Sequence, residues 1–166
     1  DYQDISENFS GFAQVEDSGI DKATTGFLRN ERGMTRTGYG LKDVKFGSNL
    51  VSAGFRNVKD EDGEIGWTTF GFQNGGLKLN YDQQEVGDTF KRFGNIREKE
   101  REQLKKEIGM SRENLAASFA TKLGTLSFTE NSILDRKSGE GIERQSVALD
   151  TRDIKFKLDK QEIGKG

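Results

Sequence analysis

The chain has 166 residues, 31% apolar and 33% charged, and its 26 basic residues nearly balance 28 acidic ones for a net charge of −2. Cys, His and Pro are absent, which excludes disulfides, thiolate or imidazole metal ligation, cysteine nucleophiles and histidine-based triads, and leaves every turn to Gly, Asn, Asp and Ser. The balanced charge argues against a nucleic-acid platform, and no apolar run approaches the roughly 20 residues of a membrane-spanning helix.

The opening segment, DYQDISENF from Asp1, returns as DQQEVGDTF from Asp82 and as DKQEIGKG from Asp159. Phe9 and Phe12 match Phe90 and Phe93, Leu28 matches Leu104, and Gly33-Met34-Thr35-Arg36 matches Gly109-Met110-Ser111-Arg112. Ordered self-similarity of this kind predicts tandem repeats. The expected division is a first unit over 1–81, a second over 82–158 and the start of a third over 159–166, as a window on a longer array.

Each unit is expected to open with helix. In the first, Ile5, Phe9 and Phe12 start an apolar stripe, and a second helix is expected near 21–32. In the second, residues 84–108 are rich in helix formers, and Val86, Phe90, Phe93, Leu104 and Ile108 fall on one face. The predicted core stripe is thus Phe9, Phe12 and Leu28 in one copy and Phe90, Phe93 and Leu104 in the other. At the helix ends stand the chain's only two methionines, in identical settings. Gly33 and Gly109 are expected to take the left-handed conformation of a helix C-cap, with Met34 and Met110 folding back over Leu28 and Leu104. Arg36 and Arg112 follow as the chain enters its first strand; each is a candidate partner for an acid on the neighbouring unit, against the plainer reading of a solvated arginine.

Period-two alternation then predicts four strands per unit, over 37–46, 49–58, 64–73 and 76–82, and over 113–122, 124–133, 141–150 and 153–159. Between them lie hairpin signals such as Gly47-Ser48 and Asn74-Gly75-Gly76. One apolar face per strand predicts a sheet covered on one side. The expected fold class is α+β: tandem repeats, each an amphipathic helical segment followed by a four-stranded antiparallel meander.

Few residues suggest chemistry. The acidic turn from Asp60 to Gly63 invites a calcium reading through Asp60 and Asp62, but an EF-hand loop would need acids at the positions of Val58 and Thr69. Trp67, the only tryptophan, is either a stacking platform or packing. Asn8-Phe9-Ser10 fits a glycosylation sequon, yet Phe9 lies on the apolar stripe. No pair of the many acids stands out for catalysis, and no cofactor is expected.

Stacked repeats serve length, surface or binding more often than chemistry. The expectation is a non-enzymatic structural repeat protein, part of a large bacterial extracellular or cell-surface assembly such as a filament, sheath or layer. Its expected partners are neighbouring repeats or copies of itself. The alternatives are a segment of an outer-membrane β-barrel, for which strand number and alternation speak, or a surface module binding a glycan or a protein.

Overall fold

The computed structural model of the chain describes residues 2–5, 19, 31–96 and 98–165. Among the described residues nine strands form one sheet: β1 (Tyr2–Ile5), β2 (Met34–Phe46), β3 (Asn49–Lys59), β4 (Glu64–Asn74), β5 (Leu77–Val86), β6 (Met110–Thr121), β7 (Gly124–Asp135), β8 (Glu140–Thr151) and β9 (Lys155–Lys165). Their order in the sheet is their order in the chain, and every neighbouring pair is antiparallel. Between β5 and β6 lie a 3-10 turn at Phe93–Asn95 and one α-helix, α1 (Glu98–Lys106).

The expected tandem of helix-covered meanders is therefore corrected. One continuous sheet runs through both proposed units, and the boundaries at 81/82 and 158/159 fall inside β5 and β9. The helix expected over 84–108 is reduced to α1. Val86 explains the loss: it pairs with Ile65 in the β4–β5 ladder, and its carbonyl accepts the Gly109 N–H at 2.9 Å. Ladder bonds and burial outweigh a helix propensity that is only a weak prior. What remains helical, EKEREQLKK, consists of strong helix formers with Lys105 and Lys106 in its last turn, where cations favour the negative end of the helix dipole. Phe90 lies outside any helix and Phe93 in the 3-10 turn, so the predicted stripe is not one helical face. Phe9, Phe12 and Leu28 fall outside the described residues.

Alternation assigns residues to two faces. On one face Val58, Ile65 and Val86 stand side by side across β3, β4 and β5. The β5–β6 connection lays Phe90, Phe93, Ile96 and Leu104 over them, and with Met34 these residues form the buried core, with Trp67 packed against it. The middle of this face is small or polar, with Gly54, Ser52, Thr69, Asn80, Asn114, Ala116, Thr129 and Ser146, and Ile133, Ile142 and Ile163 stand on it across β7, β8 and β9. The opposite face carries an apolar band across the strands, including Tyr39, Leu41, Phe55, Phe70, Leu79, Tyr81, Leu115, Phe119, Leu126, Val147, Phe156 and Leu158. Many of these are open to solvent: Tyr39 is 67% exposed, Phe119 51% and Leu158 60%. Toward the α1 end the same face becomes charged, with Glu85, Glu113, Glu130, Glu143 and Glu162.

Candidate functional site

The recurrent Gly-Met-Ser/Thr-Arg motif forms a duplicated polar corner at the α1 end of the sheet. At each copy the backbone closes identically: Met34 N–H donates to the Glu31 carbonyl at 3.0 Å, and Met110 N–H to the Glu107 carbonyl at 2.9 Å. The third residue of each turn is a glycine with positive φ, 71° at Gly33 and 77° at Gly109. A four-residue turn with left-handed backbone at its third position calls for glycine there. Gly109 belongs to this separate turn, beyond the end of α1 at Lys106, and is not the helix cap expected from the sequence.

The turn aims its glutamate at the arginine five residues on. Arg36 grips the Glu31 carboxylate with two nitrogens, Nε on Oε2 and Nη2 on Oε1 at 2.8 Å, and Gln3 Nε2 approaches Oε2 at 3.4 Å. Glu31 is fully buried, and the Arg36 side chain is 27% exposed. In the second copy Arg112 Nη2 lies 3.3 Å from Glu107 Oε2, Gln84 Nε2 donates to that same oxygen, and Gln103 Nε2 donates to Oε1 at 3.0 Å. Among the described residues each arginine meets the glutamate of its own corner.

Cross-strand register fixes these groups. Gln3 stands opposite Arg36 in β1–β2, and Gln84 opposite Arg112 in β5–β6. Followed across the sheet, the first row reads Gln3, Arg36, Val58, Ile65, Val86, and the second Gln84, Arg112, Ile133, Ile142, Ile163. The residue types agree place by place. The cover differs. Val58, Ile65 and Val86 are at most 1% exposed, whereas Ile133 and Ile142 are each 37% and Ile163 72% exposed.

Trp67 extends the second corner. Its indole N–H donates to Gln84 Oε1 at 3.0 Å, and the Arg56 guanidinium lies 3.8 Å above its ring. Arg56 also reaches Glu100 of α1 at 3.4 Å. Indole and guanidinium face each other, and one side of the ring rests on the core, so the residue acts as packing between sheet and connection.

Asp60 and Asp62 sit in the β3–β4 turn. Asp60 is 4% exposed; its Oδ1 accepts the backbone N–H groups of Asp62 and Gly63 at 2.9 and 2.7 Å, and its Oδ2 accepts that of Lys91 at 3.3 Å. Asp62 pairs with Lys91 Nζ at 2.9 Å. The Asp60 carboxylate serves as a turn cap, and no cluster of three or more metal-ligating side chains occurs among the described residues. The equivalent β7–β8 turn uses the same device: Asp135 Oδ1 accepts from Lys137 and Ser138 N–H at 2.8 and 3.1 Å. Those two bonds, Ser138 first, hold the Asp135 carboxyl below the ordinary aspartate range.

Sequence reasoning passed over Glu31 and Glu107. Their signal was present, since both stand three residues before a methionine of the repeated motif. No helix among the described residues is long and apolar enough to cross a membrane, a statement that does not bear on strands. No protein family, curated protein or solved structure matches this chain.

Proposed function

We propose that the chain is a structural sheet module of a large extracellular or cell-surface assembly, with no catalytic role. The observation that carries this reading is the duplicated row, in which Gln, Arg and three β-branched residues return at the same register four strands later. A sheet that repeats its own cross-section can be extended without changing its corners, as repeat proteins are. The polar groups at the corners are consumed by one another: glutamate by arginine and glutamine, aspartate by turn amides. Held in this way, they brace the sheet.

The apolar band favours a second reading, a wall segment of an outer-membrane β-barrel. Its height speaks against it. Leu77, Leu79 and Tyr81 are the band's share of β5, and at ~3.4 Å per residue they cover about 17 Å of strand. Barrels present an apolar band about 25 Å tall on strands that are also tilted. Glu85, Glu113 and Glu130 continue the same face just beyond the band. A protein surface therefore covers it better than lipid does.

Sedimentation and negative-stain microscopy of the detergent-free chain test the proposal. Concentration-dependent association into elongated particles is expected. A chain that stays insoluble until detergent is added, and then inserts into phospholipid vesicles, shifts the assignment to the barrel.

A further inference from the structure

The apolar band, on the face away from the β5–β6 connection, is open along the middle of the sheet. Phe70, Leu77, Phe119, Leu126, Val147 and Leu149 are between 36% and 51% exposed. The midline of the band is one cross-strand row, with Leu79 opposite Ala117, Ala117 opposite Phe128 and Phe128 opposite Val147. Charge is arranged about that row. Four residues from it toward the α1 end stand Glu113 on β6 and Glu143 on β8. Gln83 Nε2 donates to Glu85 and to Glu113, each at 3.2 Å, and Gln145 Nε2 donates to Glu143 at 2.6 Å and to Glu130 at 3.4 Å. Glutamine is neutral, so these carboxylates keep their charge. By alternation no lysine or arginine of β5–β8 falls on this face. Arg136, in the β7–β8 turn, lies 3.9 Å from Glu85. Four residues from the row toward the other end stand Thr121 and Thr151, and the exposed Lys122 and Arg152 follow them in their turns.

We propose that two copies of the chain pack face to face over this band, related by a two-fold axis along the Leu79–Ala117–Phe128–Val147 row. The proposal rests on the structural reading above and names the protein surface that covers the band: it is a second copy. A two-fold axis along that row lays β6 over β6 and β8 over β8 with their directions reversed. Glu113 and Glu143 of each copy then come over Thr121 and Thr151 of the other, beside Lys122 and Arg152. Packed sheets lie ~10 Å apart, a gap that a glutamate and a lysine or arginine bridge together. The alternative stacking, with strands running the same way, sets glutamates over glutamates and is disfavoured by like charge. Covering the exposed apolar side chains supplies the driving force, and charge sets the direction. From β3 to β8 the band is about 29 Å across and about 17 Å along the strands, so a pair buries on the order of 1,000 Å2. That is the lower end for a specific interface, and the pair is expected to form reversibly. Being isologous, the contact closes after one step. It sets the thickness of an assembly and does not by itself lengthen it.

Charge reversal tests the pairing. Glu113 and Lys122 lie at opposite ends of β6, ~30 Å apart along an extended strand, so they meet only between copies. E113K and K122E are each expected to raise the dimer dissociation constant in sedimentation equilibrium at low salt about tenfold, summed over the two symmetry-related pairs, and E113K/K122E is expected to restore it. F119S, at a position 51% exposed, is expected to abolish the dimer and to leave the circular dichroism melt little changed. Single reversals that weaken the dimer with no recovery in the double variant overturn the antiparallel pairing. Association that neither the reversals nor F119S alter overturns the face-to-face contact and leaves the structural assembly standing. A chain that stays monomeric, or that dissolves only in detergent, overturns both.

Discussion

Arg36 holds the carboxylate of Glu31 with two guanidinium nitrogens in a site where the carboxylate has no exposure to solvent. Arg112 reaches Glu107 through a single contact at 3.3 Å, and there the glutamate is 12% exposed. The same corner is thus drier and more tightly gripped in its first copy.

Removing the arginine from the drier corner strands a buried charge. R36A is expected to destabilise the fold by about 3–5 kcal/mol, the cost of breaking a buried ion pair from one side. R112A costs less, since Glu107 keeps Gln84 and Gln103 as donors. Denaturant unfolding of the two variants measures the difference, and equal losses contradict the assigned burial.

Equivalent isoleucines are expected to respond unequally. Ile65 has 0% exposure and Ile142 has 37%. I65A then leaves a cavity under Phe90 and Phe93 and costs roughly 2–5 kcal/mol. I142A in the unassociated chain costs clearly less, because its side chain already meets water. A thermal melt of each variant at a concentration where the chain is monomeric checks the order.

The β3–β4 turn is clasped by the connection, and glycine permits the clasp. A Cβ on Gly63 falls 2.7 Å from the Phe90 backbone nitrogen, closer than real contacts, whereas one on Gly66 meets nothing within 4 Å. G63A is expected to lower the melting temperature by several degrees, and G66A to change it much less. Comparable shifts would mean that the connection does not seat on the turn.

The Asp135 turn sets a sign for acid behaviour. Its carboxyl is held below the ordinary aspartate range by the Ser138 and Lys137 amides. A depressed folded value contributes stability that is complete above the unfolded aspartate value of about 3.9 and is lost as pH falls through the lower folded value. NMR titration is expected to place the Asp135 midpoint below that of an unfolded aspartate. In D135N the amide shifts of Lys137 and Ser138 are expected to lose their response over this range.

As the only tryptophan, Trp67 reports on the second corner. W67F removes the indole bond to Gln84 and with it about 1 kcal/mol. Intrinsic fluorescence of the parent chain is expected to change in step with backbone circular dichroism during unfolding, because the indole rests on the core. A separate, earlier fluorescence transition would detach this corner from the fold.

Much of the sheet was legible from local pattern. Tyr81, Leu79 and Leu77 alternate with Asp82, Asn80 and Lys78, and they line one face as alternation requires. Gly47, Gly75 and Gly139 have positive φ in hairpin turns that their residue types announced. The corner was half legible: Gly33, Met34 and Arg36 stood out because they recur, while Glu31 recurred beside them and was passed over. Solvated acids are abundant in this chain, and only burial distinguishes one that holds a corner.

By itself the sequence determined the periodicity of each strand, the turns between them and the correspondence of Gln3, Arg36 and Met34 with Gln84, Arg112 and Met110. These follow from side-chain alternation, backbone permissiveness and repetition, all short in range. Only the tertiary structure decided that the units merge into one sheet, that Gln84–Val86 are strand and not helix, and that one apolar row is covered while its twin is open. Those outcomes rest on pairing between residues far apart in the chain, β5 with β6 across the connection. Ladder bonds and burial at that distance override what each segment favours alone.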